Sequence, residues 1–164
     1  MSAQALIRSL AERMRATIVA HADELTALDQ AIGDGDHGIN MSRGFNAIGE
    51  QTDVIAALPF GEALRKAGMT LVMKVGGASG PLYGSALMEM GKASAASPAS
   101  RDELAAMLAA GIAAVKARGR SEAGAKTMLD VMIPVHAAIA AGSDLGGVRA
   151  AADAALEATR GMRA

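Results

Sequence analysis

Leu6, Leu10, Met14 and Ile18 recur every four residues, with Arg8, Glu12 and Arg15 on the turns between them. That period lines the apolar side chains along one stripe of an α-helix and leaves the charges on the other side. The pattern returns at Leu104, Met107, Leu108, Ile112 and Val115, where Ser100 and Glu103 form a capping box ahead of the run. Aromatic residues, which favour sheets, nearly vanish: there is no Trp, and Tyr83, Phe45 and Phe60 stand alone. Alanine and methionine take their place and favour closely packed helices. The spacing predicts seven helices. The first runs from about 6 to 28, the second from 40 to 56, the third from 60 to 75 and the fourth from 81 to 93. The fifth starts at 101, the sixth covers 126–141 with a kink at Pro134, and the seventh covers 148–159. Residues 70–75 are the only strand-like piece and are too short and isolated to build a sheet. Short connections imply antiparallel neighbours. The expectation is an all-α bundle or helical barrel, forming one domain over residues 1–164.

Three connections carry glycine: 33–38, 76–81 and 119–124. If successive helices alternate in direction, these loops, after the first, third and fifth helices, lie at one end. Composition narrows what they can bind. Net charge is −1 with Lys and Arg scattered, so no basic face for a nucleic acid is expected. Cysteine is absent, which excludes disulfides, thiolate chemistry and cysteine-zinc sites. No apolar run approaches a membrane span, and the charged start of the first helix does not read as a signal peptide. A cytoplasmic protein without a membrane partner is expected.

Asp29, Asp34, Asp36 and His37 crowd the first loop. Carboxylates this close repel one another unless a cation neutralises them, and several Asp oxygens suit a hard ion such as Mg²⁺. Glycines between them let the chain fold back so that the carboxylates converge. A solvated Asp-Gly turn capping the second helix would use the same residue types, but three Asp and one His exceed what capping requires. Residues 33–38 also fit G-x-G-x-x-G, yet no strand precedes them. An EF-hand fails because Phe45 stands where its bidentate Glu is needed. Asn40 serves equally as an N-cap or a ligand contact. The loop at Gly76–Ser79 has no side chain to shield its N–H groups from an anion, and Pro81 opens a helix whose dipole favours phosphate. Lys126 and Thr127 could touch phosphate or cap the sixth helix. His21 and His136 read as packing or surface residues.

Together, Asp-x4-Asp-Gly-Asp-His-Gly-x-Asn-Met, Gly-Gly-Ala-Ser-Gly-Pro-Leu-Tyr-Gly and Lys-Thr-Met-Leu-Asp resemble, in order, the nucleotide-binding L subunit of dihydroxyacetone kinase. The resemblance implies an antiparallel eight-helix barrel holding ADP or ATP at one end through two Mg²⁺ ions. It assigns Asp29, Asp34 and Asp36 to the metals. His37, Gly38 and Asn40 fall to the loop beneath the phosphates, Ala78 and Ser79 to the second phosphate loop with Leu82 close by, and Gly119 and Met128 to the adenosine side. It further implies a phosphohistidine donor protein that recharges bound ADP, and a partner K subunit holding dihydroxyacetone. No residue is expected to form a covalent intermediate, since phosphoryl transfer needs positioning and charge neutralisation. Related kinases act on other sugar or lipid acceptors, and a non-catalytic nucleotide- or metal-binding regulatory module is the alternative of a different class. Two departures stand out. Ala125 replaces the carboxylate common in the family, and family members continue past Ala164 with a basic segment and an eighth helix, so about seven of the usual eight helices are expected here.

Overall fold

The structure is a computed structural model and describes residues 2–163. Among these residues it is all-α, without a strand. The helices are α1 (Ala3–Ala20), α2 (Ala22–Gln30), α3 (His37–Glu50), α4 (Thr52–Ala56), α5 (Phe60–Lys74), α6 (Ser79–Ala93), α7 (Arg101–Gly119), α8 (Leu129–Ala140) and α9 (Leu145–Thr159). None is long and apolar enough to cross a membrane.

Among the described residues nine helices replace the seven expected, because the first two predicted ones each break once. The first breaks at His21 (φ −106°, ψ 12°), just after β-branched Ile18 and Val19, which lose rotamer freedom in a helix. The second breaks at Gln51 (φ −104°, ψ 8°), two residues beyond Gly49, whose backbone gains least from helix formation. The strand-like run at 70–75 lies within α5 up to Lys74. There Thr70 and Leu71 are buried, so tertiary packing overrides local β preference. Ser100 caps α7 as expected, its Oγ accepting from Glu103 N–H at 3.2 Å, but the Glu103 carboxylate reaches one residue past the expected capping box, to Ala99 N–H at 2.7 Å.

Helices α5, α6, α7, α8 and α9 pack each on the next, while α1 lies on α3 and α4, and α3 bridges to α5. The α5–α6 pair is the tightest because small residues face each other. A Cβ on Gly61 would stand 2.4 Å from Gly91 O, and one on Gly68 would stand 2.6 Å from Gly84 O. Those partners run in opposite order along the two helices, so the pair is antiparallel.

The core has two parts. One gathers Ile7, Met41, Phe45, Ile55, Phe60 and Leu71 between α1, α3, α4 and α5. The other holds Ala86, Ile112, Val115 and Leu129 between α6, α7 and α8. Leu71 and Leu129 are fully buried, each contributing about 1.5–3 kcal/mol through apolar surface removed from water. The His37–Ser79 contact and a cleft lined by Asp29, His37, Lys126 and Thr127 bring the connections 31–36, 75–78 and 120–128 together.

Candidate functional site

Asp29 closes the last turn of α2, and its carboxylate organises the loop that follows. One oxygen, Oδ2, accepts from the backbone N–H groups of Asp36 (3.0 Å) and His37 (3.3 Å). It therefore supplies the N-terminal cap of α3 from seven residues upstream, while Asp36, at the position next to the helix, makes no side-chain cap. The capping alternative and the metal alternative are thus divided among residues. Asp29 caps with one oxygen, leaving Asp34 and Asp36 exposed and uncommitted. The other Asp29 oxygen lies over Gly33, where a Cβ would stand 2.4 Å from Oδ1. Glycine at 33 leaves room for that carboxylate.

One oxygen from each of Asp29, Asp34 and Asp36 lies within 4.8 Å of the others. Ligands around a Mg²⁺ at 2.0–2.1 Å stand roughly 3 to 4 Å apart, so three hard oxygens at this spacing fit a divalent ion. The half-buried His37 opens α3, and its Nδ1 lies 3.2 Å from Ser79 Oγ, the first residue of α6. That contact joins the first and second glycine loops. Asn40 is not an N-cap. It is buried one turn into α3, with its amide 2.9 Å from where a Cβ on Gly76 would sit, so it braces the same junction. Gly38 is buried too, and its Cβ would collide with Ala22 O at 1.9 Å. Its small size serves the α2–α3 crossing. Ala78 is exposed ahead of α6, and Gly77 beside it takes φ +64°, with open space around it.

A cleft of about 620 Å³ opens between α2, α6, α8 and α9. Asp29 and His37 give it a polar end, Lys126 and Thr127 add polar groups on the wall that leads into α8, and Leu28, Met128, Val131 and Met132 are among its apolar walls. Tyr83 also lines it, and burial pushes its hydroxyl pKa up. Leu82 packs with Met128 against the second core group and touches Gly119, at the exposed end of α7. With a divalent ion on the carboxylate trio, the arrangement can hold a polyanion beside Asp29 and an apolar group against Leu28, Met128, Val131 and Met132.

Sequence reasoning missed Asp130. This buried carboxylate accepts from the N–H groups of Gly124 (2.5 Å) and Thr127 (2.8 Å), and those bonds, Gly124's foremost, hold its pKa below the usual carboxylate range against the opposing effect of burial. Thr127 Oγ1 in turn accepts from Leu129 N–H at 3.3 Å. The Thr-x-x-Asp spacing is a capping signal and could have been read from the chain. It moves the start of α8 from the expected 126 to Leu129, because Lys126 takes a left-handed backbone with φ 52°.

A family model described as the DAK2 domain matches residues 31–164. Among curated relatives, the ADP-binding subunit DhaL of PEP-dependent dihydroxyacetone kinase 1 from Listeria innocua is 47% identical, over 68% of this chain and 56% of its own length. The corresponding Escherichia coli K12 subunit is 46% identical, over 68% of this chain and 53% of its own. Human triokinase/FMN cyclase is 36% identical, over 93% of this chain and 28% of its own. The chain thus spans about half the length of the bacterial curated relatives it matches. The crystal structure of dihydroxyacetone kinase from C. freundii in complex with AMP-PNP and Mg²⁺ shares the fold. Its TM-score is 0.82 at 26% identity, covering 98% of this chain and 30% of that one.

Proposed function

The chain belongs to the DAK2 domain family, and from that membership we propose that it is the ADP- and ATP-binding part of a dihydroxyacetone kinase of the PEP-dependent type. The observation that carries this reading is the meeting of three carboxylates with the Ser79–His37 junction at the polar end of one cleft. The bacterial relatives are named as ADP-binding subunits of such a kinase, and the C. freundii structure was solved with AMP-PNP and Mg²⁺. In this reading residues 1–164 form one nucleotide-binding domain.

Asp29, Asp34 and Asp36 hold two Mg²⁺ ions, which neutralise the phosphate charge when bound. His37, Gly38, Asn40, Ala78 and Ser79 form the floor under the phosphates. There the N-termini of α3 and α6 contribute N–H groups and favourable dipole ends. Leu82, Gly119 and Met128 shape the adenosine side. No side chain acts as a nucleophile, and the chain's contribution is to hold the terminal phosphoryl group in line and free of water. A phosphohistidine donor protein recharges ADP, and a separate K subunit presents dihydroxyacetone. The relative named D-erythrulose kinase, 34% identical, fits an acceptor chosen by the sugar-binding partner.

The test is reconstitution. The chain, charged with Mg·ATP and mixed with a dihydroxyacetone-binding subunit, should yield dihydroxyacetone phosphate, and Asp36→Ala should abolish the transfer. Full transfer by Asp36→Ala, or none by the wild-type chain despite bound nucleotide, contradicts the reading.

A further inference from the structure

The connection between α7 and α8 contains three residues at positive φ: Arg120 (49°), Gly124 (91°) and Lys126 (52°). Two of them carry side chains that ordinarily avoid this region, so the backbone here persists only where its surroundings over-determine it. The constraint is visible. Asp130, in the first turn of α8, spans the loop with both carboxylate oxygens, Oδ1 on Gly124 N–H and Oδ2 on Thr127 N–H. It is 7% exposed, and as a carboxylate at a helix N-terminus it is also favoured by the dipole. Between the two anchored amides lie Ala125 and Lys126. Lys126, Thr127 and Met128 line the cleft that holds Asp29 and His37.

We propose that Asp130 is a positioning residue for the adenosine side of the nucleotide site, acting through the loop it anchors without touching the ligand. This rests on the nucleotide reading above. Its physical content is a division of labour. The carboxylate trio and the Ser79–His37 junction grip the phosphates from the other side of the cleft, on elements that Asp130 does not contact. Loosening the 124–127 loop therefore releases the wall that carries Met128 and leaves the phosphate grip intact. A carboxylate is required because two backbone N–H groups must each find an acceptor. An asparagine offers one acceptor and one donor, which leaves one of those amides facing an N–H group.

The test is calorimetric binding of Mg·ADP and of Mg·pyrophosphate to the wild-type chain and to Asp130→Asn. Hydrogen exchange is followed at the Gly124 and Thr127 amides. Asp130→Asn should weaken Mg·ADP by roughly tenfold or more, the size of one lost charge-assisted hydrogen bond, and leave Mg·pyrophosphate within about twofold. The two loop amides should lose protection while those in the middle of α7 keep theirs. Gly124→Ala gives the same readout by a second route. It removes no core group and has open space around it, but its φ of 91° disfavours any residue with a Cβ. It should reproduce the selective loss of ADP affinity, including where Asp130→Asn folds poorly. Equal weakening of both ligands, or unchanged ADP affinity with the loop amides exposed, overturns the proposal. Absence of Mg·ADP binding by the wild-type chain would instead sink the nucleotide reading itself and this inference with it.

Discussion

Asp29 caps α3 and sits in the proposed metal site, and substitution can pull these apart. Its Oδ2 accepts from Asp36 and His37 N–H groups at 3.0 and 3.3 Å, and one of its carboxylate oxygens belongs to the trio within 4.8 Å. Asp29→Ala removes both roles. Losing an N-cap costs about 1 kcal/mol, which for a chain of this size lowers Tm by roughly 2–4 °C. Asp29→Asn keeps an amide oxygen for the cap and should melt close to wild type without metal. Asp36 caps nothing, so Asp36→Asn removes only charge. Two carboxylates 4.8 Å apart in water repel by about 0.9 kcal/mol before salt screening. Relieving two such pairs should leave the metal-free Asp36→Asn protein equal to or up to about 2 kcal/mol more stable than wild type at low salt. All three variants should lose the Tm rise that millimolar Mg²⁺ gives the wild-type chain. The assay is differential scanning calorimetry with Mg²⁺ or EDTA at low ionic strength. Equal melting of Asp29→Ala and Asp29→Asn would refute the capping role. A wild-type Mg²⁺ response in Asp36→Asn would refute the metal assignment.

Three further outcomes follow from the same geometry. Gly33→Ala would place a Cβ 2.4 Å from Asp29 Oδ1, so it should displace that carboxylate, weaken Mn²⁺ binding, read by electron paramagnetic resonance, by about tenfold, and lower Tm by no more than the roughly 2–4 °C of the α3 cap. Gly38→Ala meets backbone rather than a movable side chain, at 1.9 Å from Ala22 O, so it should destabilise the fold by about 1–3 kcal/mol in urea titrations. Asp130 has a folded pKa below its unfolded 3.8, so its contribution to stability is complete above about pH 4 and fades as pH falls through the folded value. Asp130→Asn should flatten that acid limb of the urea midpoint, and an unchanged slope would contradict the assignment.

The helical periods at Leu6–Ile18 and Leu104–Val115 declared the fold class, because an amphipathic stripe is a local property of sequence. The convergence of Asp29, Asp34 and Asp36 was legible for a similar reason, since glycines between closely spaced carboxylates let them meet. What escaped were consequences of contacts distant in sequence. Asp29 as the cap of α3 depends on where α2 ends, and the burial of Asn40 depends on Gly76 lying against it. Asp130 was readable as a local cap, but its hold on Gly124 required knowing that the loop folds back.

The central claim is that the trio of carboxylates binds nucleotide through divalent metal, and isothermal titration of ADP into the chain tests it most directly. With Mg²⁺ present, the wild-type chain should take up one ADP per chain, and EDTA or Asp36→Asn should abolish the heat of binding. ADP binding of equal affinity in EDTA, or none in Mg²⁺, would contradict it.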